Sequence, residues 1–227
     1  YFQAYTNTYA SLAYLEKLYM EAILHPDIRI LSIATRPDCL STEILDLLER
    51  LNQIKPVWVE LGLQTIHERT ARYIRRGYDL PVFETAVSEL RRRGIDVIVH
   101  TILCLPGETK PDTLQTIQYL NRQDIQGIKL QLLHILKDTD LAEIYASDPF
   151  PVPDPQEYYK LLGACISHLR PDIVIHRLTG DGPKELLTAP LWTCNKRQVL
   201  NQLQSYFKHM TSGRERSINH GQIIYAI

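Results

Sequence analysis

Apolar, β-branched residues gather in short runs near residues 1–5, 28–34, 56–63, 96–104, 127–135 and 172–178, and most intervening stretches carry apolar positions at helical spacing. A β/α alternation of this kind predicts an α/β fold with a parallel sheet. The interval of roughly 30 residues per unit is what a strand, a crossover helix and two short loops need. The most telling run is Val57-Trp58-Val59-Glu60-Leu61-Gly62-Leu63-Gln64-Thr65. An apolar strand has no packing reason to end on Glu, Gly and Gln, so these positions are expected to face a ligand at its C-terminal edge.

Capping signals agree with the periodicity. Thr65-Ile66-His67-Glu68 has the form of a capping box, with Gly77 as a left-handed stop. Asp79 is placed to cap a helix with Pro81 in its first turn, Phe83, Ala86, Val87 and Leu90 on one face and Gly94 as terminator. Thr109, Pro111 and Asp112 open another, carrying Leu114, Ile117 and Leu120. Asp148 to Pro155 holds four prolines in eight residues and marks a boundary. Residues 1–147 therefore read as a partial β/α barrel. Residues 148–227 read as a β/α extension that completes the barrel and covers its site, with a helix at 155–170, a strand at 172–178 and a last helix from about Asn195.

Composition narrows the partners. In 227 residues, 44% hydrophobic, 25 Lys and Arg stand against 26 Asp and Glu for a formal charge of -1, so nucleic-acid contact requires a local patch. Arg69, Arg72, Arg75, Arg76 and Arg91-Arg92-Arg93 make region 65–94 basic, which suits either a solvated helix face or a phosphate backbone. No apolar run approaches the ~20 residues of a bilayer span, and no charged-then-apolar segment opens the chain, so a cytoplasmic location is the default expectation. Cys39, Cys104, Cys165 and Cys194 match neither a disulfide framework nor a metal clamp, and read as reduced, mostly buried thiols.

Functional groups of a parallel sheet or barrel come from the loops at the C-terminal strand ends. Collecting those ends gives Thr6-Asn7-Thr8, Thr35-Arg36-Pro37-Asp38, Glu60 with Gln64, His100 with Pro106-Gly107-Glu108, Gln131, His134 with Lys137, and His176-Arg177 leading to Thr179-Gly180-Asp181-Gly182. Asn7 and Thr8 serve equally well as helix caps, and Arg36 with Asp38 as a local ion pair. A carboxylate inside an apolar strand is costly, so Glu60 is expected to be paired or functional. His100 and His134 also fit as satisfied core imidazoles, and Gly180-Asp181-Gly182 as either a tight turn or an anion-binding nest.

The motifs Phe2 to Tyr9, Ser32 to Cys39, Val59 to Thr65, Arg75-Arg76-Gly77, Leu105 to Thr109 and Arg177 to Lys184, in this order, resemble radical S-adenosylmethionine (radical SAM) enzymes of the YhcC/YtqA type. That resemblance implies a partial β/α barrel in which a [4Fe-4S] cluster on a Cys-x-x-x-Cys-x-x-Cys loop, fed by a flavodoxin- or ferredoxin-type donor, cleaves SAM to a 5′-deoxyadenosyl radical. It further implies that Gln64 and Arg76 contact the SAM ribose or methionyl part, that Thr35 and Glu60 lie with them, that His100, Ile102 and Cys104 border the nucleoside, and that Thr6-Asn7-Thr8 stand where a Gly-Gly-Glu grips the methionyl amine. Arg36, Gln131, His134, Lys137, Arg177, Asp181 and Lys184 fall to the substrate side. Thr35 to Asp38 with Val59 to Gln64 also resemble the elongator catalytic subunit, which implies a tRNA wobble uridine as substrate.

Three departures stand against this. The chain contains no Cys-x-x-x-Cys-x-x-Cys, and Cys104 and Ala34 replace a Gly and an acidic residue of some relatives. Without three thiolates no cluster of the expected kind is held, so this chain alone is expected to be inactive, its first strand and cluster loop preceding Tyr1. The rivals are a cluster-less module that binds nucleoside or RNA, and a β/α hydrolase or lyase using Glu60 and His100 as acid and base.

Overall fold

A computed structural model describes residues 1–3, 5–180 and 182–212. The chain forms two compact units, Tyr1–Thr101 with Leu120–Ile128, and Ile102–Tyr119 with the residues from Lys129 onward. A sheet of five strands in the order β1-β2-β3-β4-β6 runs through the fold, and a second sheet pairs β5 with β7. The near-sequential order is what repeated β/α units give, because each right-handed crossover sets the next parallel strand beside the last.

In the first unit, α1 (Leu12–Leu24) buries Leu15, Tyr19 and Ile23, the one-face spacing of four that drives a helix onto a sheet. Strand β1 (Leu31–Thr35) follows, then α2 (Thr42–Asn52), whose Ser41 cap accepts from Ile44 N at 3.5 Å. Strand β2 (Val57–Gln64) lies parallel to β1 and to β3 (Asp96–Leu103), with Ala34, Glu60 and Ile98 in register. Between β2 and β3 come α3 (Glu68–Tyr73) and α4 (Leu80–Arg92).

Strand alternation sorts the chemistry. Val59, Leu61 and Leu63 on β2 and Val97 and Val99 on β3 are fully buried and form the packed face. Each contributes about 1.5–3 kcal/mol by leaving water. Ser32, Glu60, Gly62, Gln64 and His100 occupy the opposite parity, so the same pleat that builds the core collects the polar residues on one face.

The second unit contains α5 (Lys110–Leu120) up to Tyr119, β4 (Gly127–Leu132) from Lys129, β5 (Ile135–Leu136), α6 (Asp140–Ser147), α7 (Pro155–His168), β6 (Val174–Arg177), β7 (Leu187–Ala189) and α8 (Lys196–Ser212). Helix α7 starts at a full capping box, Asp154 Oδ1 accepting from Glu157 N at 2.8 Å and Glu157 Oε2 from Asp154 N at 3.0 Å. Its Tyr158 and Tyr159 pack with Trp192, and Tyr159 also meets Tyr206 of α8.

Several expectations are corrected. The described residues among 1–5 contribute one parallel bridge, Phe2 to Ile33, and no strand. The run 127–135 breaks after Leu132, where Leu133 N donates to Leu103 O, and its tail Ile135–Leu136 pairs antiparallel with β7. The helix expected at 65–76 begins at Glu68 with His67 as cap, because Thr65 Oγ1 accepts from His67 N and Glu68 turns to Arg76. Asp79 sits at the cap of α4 without a side-chain bond to it. No described helix is long and apolar enough to cross a membrane.

Candidate functional site

Glu60 is the centre of the polar face in the first unit. It is 4% exposed, and three donors converge on its carboxylate: Ser32 Oγ at 2.8 Å from Oε1, and Tyr1 Oη at 2.8 Å and His100 Nε2 at 2.6 Å from Oε2. A carboxylate that accepts all three is satisfied in its charged form, and His100 must then carry its proton on Nε2. The burial cost anticipated for a lone Glu is thus offset by hydrogen bonds, two of them from neighbouring parallel strands.

The end of β2 is unusual. The ladder to β3 shifts between Gly62 and Gln64, and Gln64 takes φ +66, a left-handed conformation uncommon for a side chain of its size. Its amide folds over Gly62 so closely that a Cβ there would meet Gln64 Nε2 at 2.7 Å. Tyr78 Oη donates to Gly62 O, and burial pushes the phenol up to about 12 despite the nearby Arg76 and Arg36 guanidiniums.

Arg76 fixes this strand end. Its buried guanidinium donates to Thr65 O at 2.8 Å, Tyr78 O at 2.8 Å, Glu68 Oε1 at 2.8 Å and, at 3.5 Å, Leu63 O, while lying 5.0 Å from the Tyr78 ring centre. Arg36 approaches the same ring at 5.4 Å and binds Asp38 through two parallel bonds of 2.9 and 2.6 Å. The Arg36 hydrogen bonds hold the Asp38 carboxyl below its usual range, whereas burial, then the Asp38 charge, raises the Cys39 thiol.

Thr6, Asn7 and Thr8 do not cap a helix; Ser11 occupies that place before α1. Thr6 O accepts from Tyr9 N at 3.2 Å. The Asn7 amide donates to Phe2 O at 3.1 Å and Ala34 O at 2.9 Å, and Thr8 Oγ1 donates to Cys39 O at 2.7 Å while receiving the Thr35 hydroxyl at 2.5 Å. The segment is stapled to the end of β1 by the side chains singled out in the sequence.

In the second unit His134 is the organiser. Gly182 N donates to its Nδ1 at 3.2 Å, and Cβ atoms at Gly180 and Gly182 would each fall 2.8 Å from its ring. The two glycines are therefore needed for close approach to an imidazole, and one amide of the supposed nest is already used. Gln131, Arg177, Lys137 and Lys184 belong to the same unit, the two lysines exposed, and Ile102 and Cys104 lie there at the exit of β3; Asp181 lies outside the described residues. Burial raises the Cys104 thiol to about 12.

Sequence reasoning missed Tyr1, Ser32, Tyr78 and Lys129. Ser32 was legible by parity with Ala34 on β1, and Lys129, 4% exposed within Gly127-Ile128-Lys129-Leu130, carries the same signal as Glu60: a charge inside an apolar strand. Nothing local marked Tyr78. Much of the basic region is internally neutralised, since Arg91 pairs with Asp96 and Asp124, Arg92 with Glu89, and Arg93 with Glu89, Asp46 and Glu49. Arg69, Arg72 and Arg75 remain exposed.

Among the described residues no group of three or more His, Cys, Asp or Glu is placed to hold a metal ion. The sequence holds no Cys-x-x-x-Cys-x-x-Cys, and the residues present do not fit an iron-sulfur cluster.

Known proteins resemble this arrangement over almost its whole length. The family model of the radical SAM superfamily matches residues 2–120, and that of the Radical_SAM C-terminal domain residues 125–209. YtqA of Bacillus subtilis is 39% identical over 93% of the chain and 66% of its own length, and YhcC of Escherichia coli K12 is 36% identical over 91% and 67%. The chain thus spans about two thirds of the length of the curated relatives it matches. Among solved structures, the archaeal Elp3 of Methanocaldococcus infernus superposes with a TM-score of 0.76 at 16% identity, over 92% of this chain and 53% of that one, a likeness of fold. Asn7, Glu60, Gln64 and His100 all fall within the first of these matches, and the chain belongs to the radical SAM superfamily.

Proposed function

We propose that the whole protein uses SAM to abstract a hydrogen atom from its substrate, and that the polar face of β1, β2 and β3 receives the SAM nucleoside. The observation that carries this reading is the convergence of Ser32, Glu60 and His100 with Gln64 on one parity of parallel strands in a chain of this superfamily. The left-handed Gln64 and the His100–Glu60 pair offer the polar contacts an adenosine needs, and the Arg76 bonds hold the backbone of that strand end. The hard chemistry belongs to the cofactor; this chain orients it.

We further propose tRNA as the substrate, with a wobble uridine as the site of attack. Support comes from the Elp3-like fold and from Arg69, Arg72 and Arg75, which α3 and its exit leave exposed. The test is anaerobic iron and sulfide reconstitution of the full-length protein, followed by reduction with SAM present. An iron-sulfur absorption band and release of 5′-deoxyadenosine are expected. An iron-free full-length protein that leaves SAM intact overturns the reading and favours a binding module.

A further inference from the structure

The C-terminal end of β2 leaves its ladder in one step. Gly62 pairs with His100 and Gln64 with Thr101, so Leu63 is the extra residue of a bulge. A bulge interrupts the ladder and re-aims the side chain beyond it, and here that side chain is Gln64 at φ +66. Gly62 O, on the near side of the break, accepts from the hydroxyl of Tyr78, a residue that lies beyond α3 and ahead of α4. The phenol oxygen and the Gln64 amide lie over the same backbone atom: a Cβ at Gly62 would stand 3.4 Å from Tyr78 Oη and 2.7 Å from Gln64 Nε2.

Two guanidiniums hold the Tyr78 ring. Arg76 lies 5.0 Å from the ring centre and Arg36 5.4 Å, distances at which a cation attracts an aromatic face. Each guanidinium is fixed in turn, Arg36 by its two bonds to Asp38 and Arg76 by Thr65 O and Glu68. Gly77 gives Arg36 its room, since a Cβ there would meet Arg36 Nη2 at 2.9 Å and φ +84 favours glycine. Burial pushes the phenol up to about 12, so it remains a donor at neutral pH.

We propose that Tyr78 is a positioning residue for the nucleoside: its bond to Gly62 O keeps the end of β2 in the bulged form that turns Gln64 toward the ligand. This rests on the reading of the polar face as the SAM nucleoside site. Tyr78 acts through the Gln64 amide, not by touching the ligand.

The experiment is calorimetric titration of the full-length protein with SAM and, as an arm that needs no iron, with 5′-deoxyadenosine. Y78F keeps the ring and deletes only the hydroxyl, so its melting temperature is expected to fall by no more than about 4 °C. Its Kd for both ligands should rise about fivefold, the worth of one hydrogen bond, and Q64A should raise it at least as much. Y78F/Q64A is then expected to bind no worse than Q64A alone, because the hydroxyl works only through that amide. R36M changes a half-exposed residue and loosens the ring; it carries the same test if Y78F does not fold, with a loss of about threefold that is absent in the Q64A background. The positioning role is overturned if folded Y78F binds like wild type, or if its loss adds in full to that of Q64A. A wild type that binds neither ligand, or a Q64A protein that binds like wild type, overturns the reading of the polar face itself and this inference with it.

Discussion

Two glycines show how differently one atom can matter. A Cβ at Gly180 would meet Leu132 O at 2.9 Å and the His134 ring at 2.8 Å, a backbone oxygen and a ring that already accepts from Gly182 N. Neither can yield cheaply, so Gly180→Ala is expected to cost about 1–3 kcal/mol. A Cβ at Gly62 meets the far end of the Gln64 side chain at 2.7 Å, with Tyr78 Oη next at 3.4 Å. Gln64 can swing away, so Gly62→Ala should leave the melting temperature almost unchanged while moving the amide off its strand end. Thermal melts of both variants, with SAM binding by the full-length Gly62→Ala protein, decide the point. Equal destabilisation by the two changes would contradict it.

At the level of elements, Arg76 is the tie between β2, α3 and the approach to α4. Its donors reach Thr65 O and Leu63 O at the strand end, Glu68 at the first turn of α3 and Tyr78 O ahead of α4, so Arg76→Met takes a donor from Thr65 O and Tyr78 O at once, while Leu63 O keeps Thr65 N at 2.8 Å. Glu68, 39% exposed, can rehydrate; the buried carbonyls cannot. The expected loss is about 2–4 kcal/mol by denaturant titration, with Arg76→Lys recovering only part because an ammonium cannot reproduce the planar fork. A neutral Arg76→Met would remove this role. None of that tie was legible beforehand: the Ser/Thr-x-x-Glu pattern at Thr65 read as a capping box, whereas a guanidinium eight residues further on claims Glu68. Where periodicity alone decides, as on α4 with Phe83, Ala86, Val87 and Leu90, the buried face matches its sequence reading residue for residue. Long-range pairing escapes local patterns, which is why the run 127–135 reads as one strand although Ile135 pairs with Ala189, some fifty residues later in β7.

For the whole molecule, charge placement decides what nucleic-acid binding can look like. A formal charge of -1 gives no general attraction to RNA, and the arginines of region 65–94 divide into two sets. Arg76, Arg91, Arg92 and Arg93 are spent on carboxylates of the same unit. Arg69, Arg72 and Arg75 stand exposed on α3 and its exit. If tRNA is the substrate, its affinity then depends on few phosphate contacts, and its fall with salt is correspondingly shallow. The full-length protein is expected to lose affinity for tRNA when Arg69, Arg72 and Arg75 are changed together to Gln, and the slope of log K against log salt should fall by about 2. Changing Arg92, which is paired with Glu89 on the surface of α4, should leave that slope alone. A slope that does not respond to the triple change, or responds equally to Arg92→Gln, would move the RNA contact away from α3.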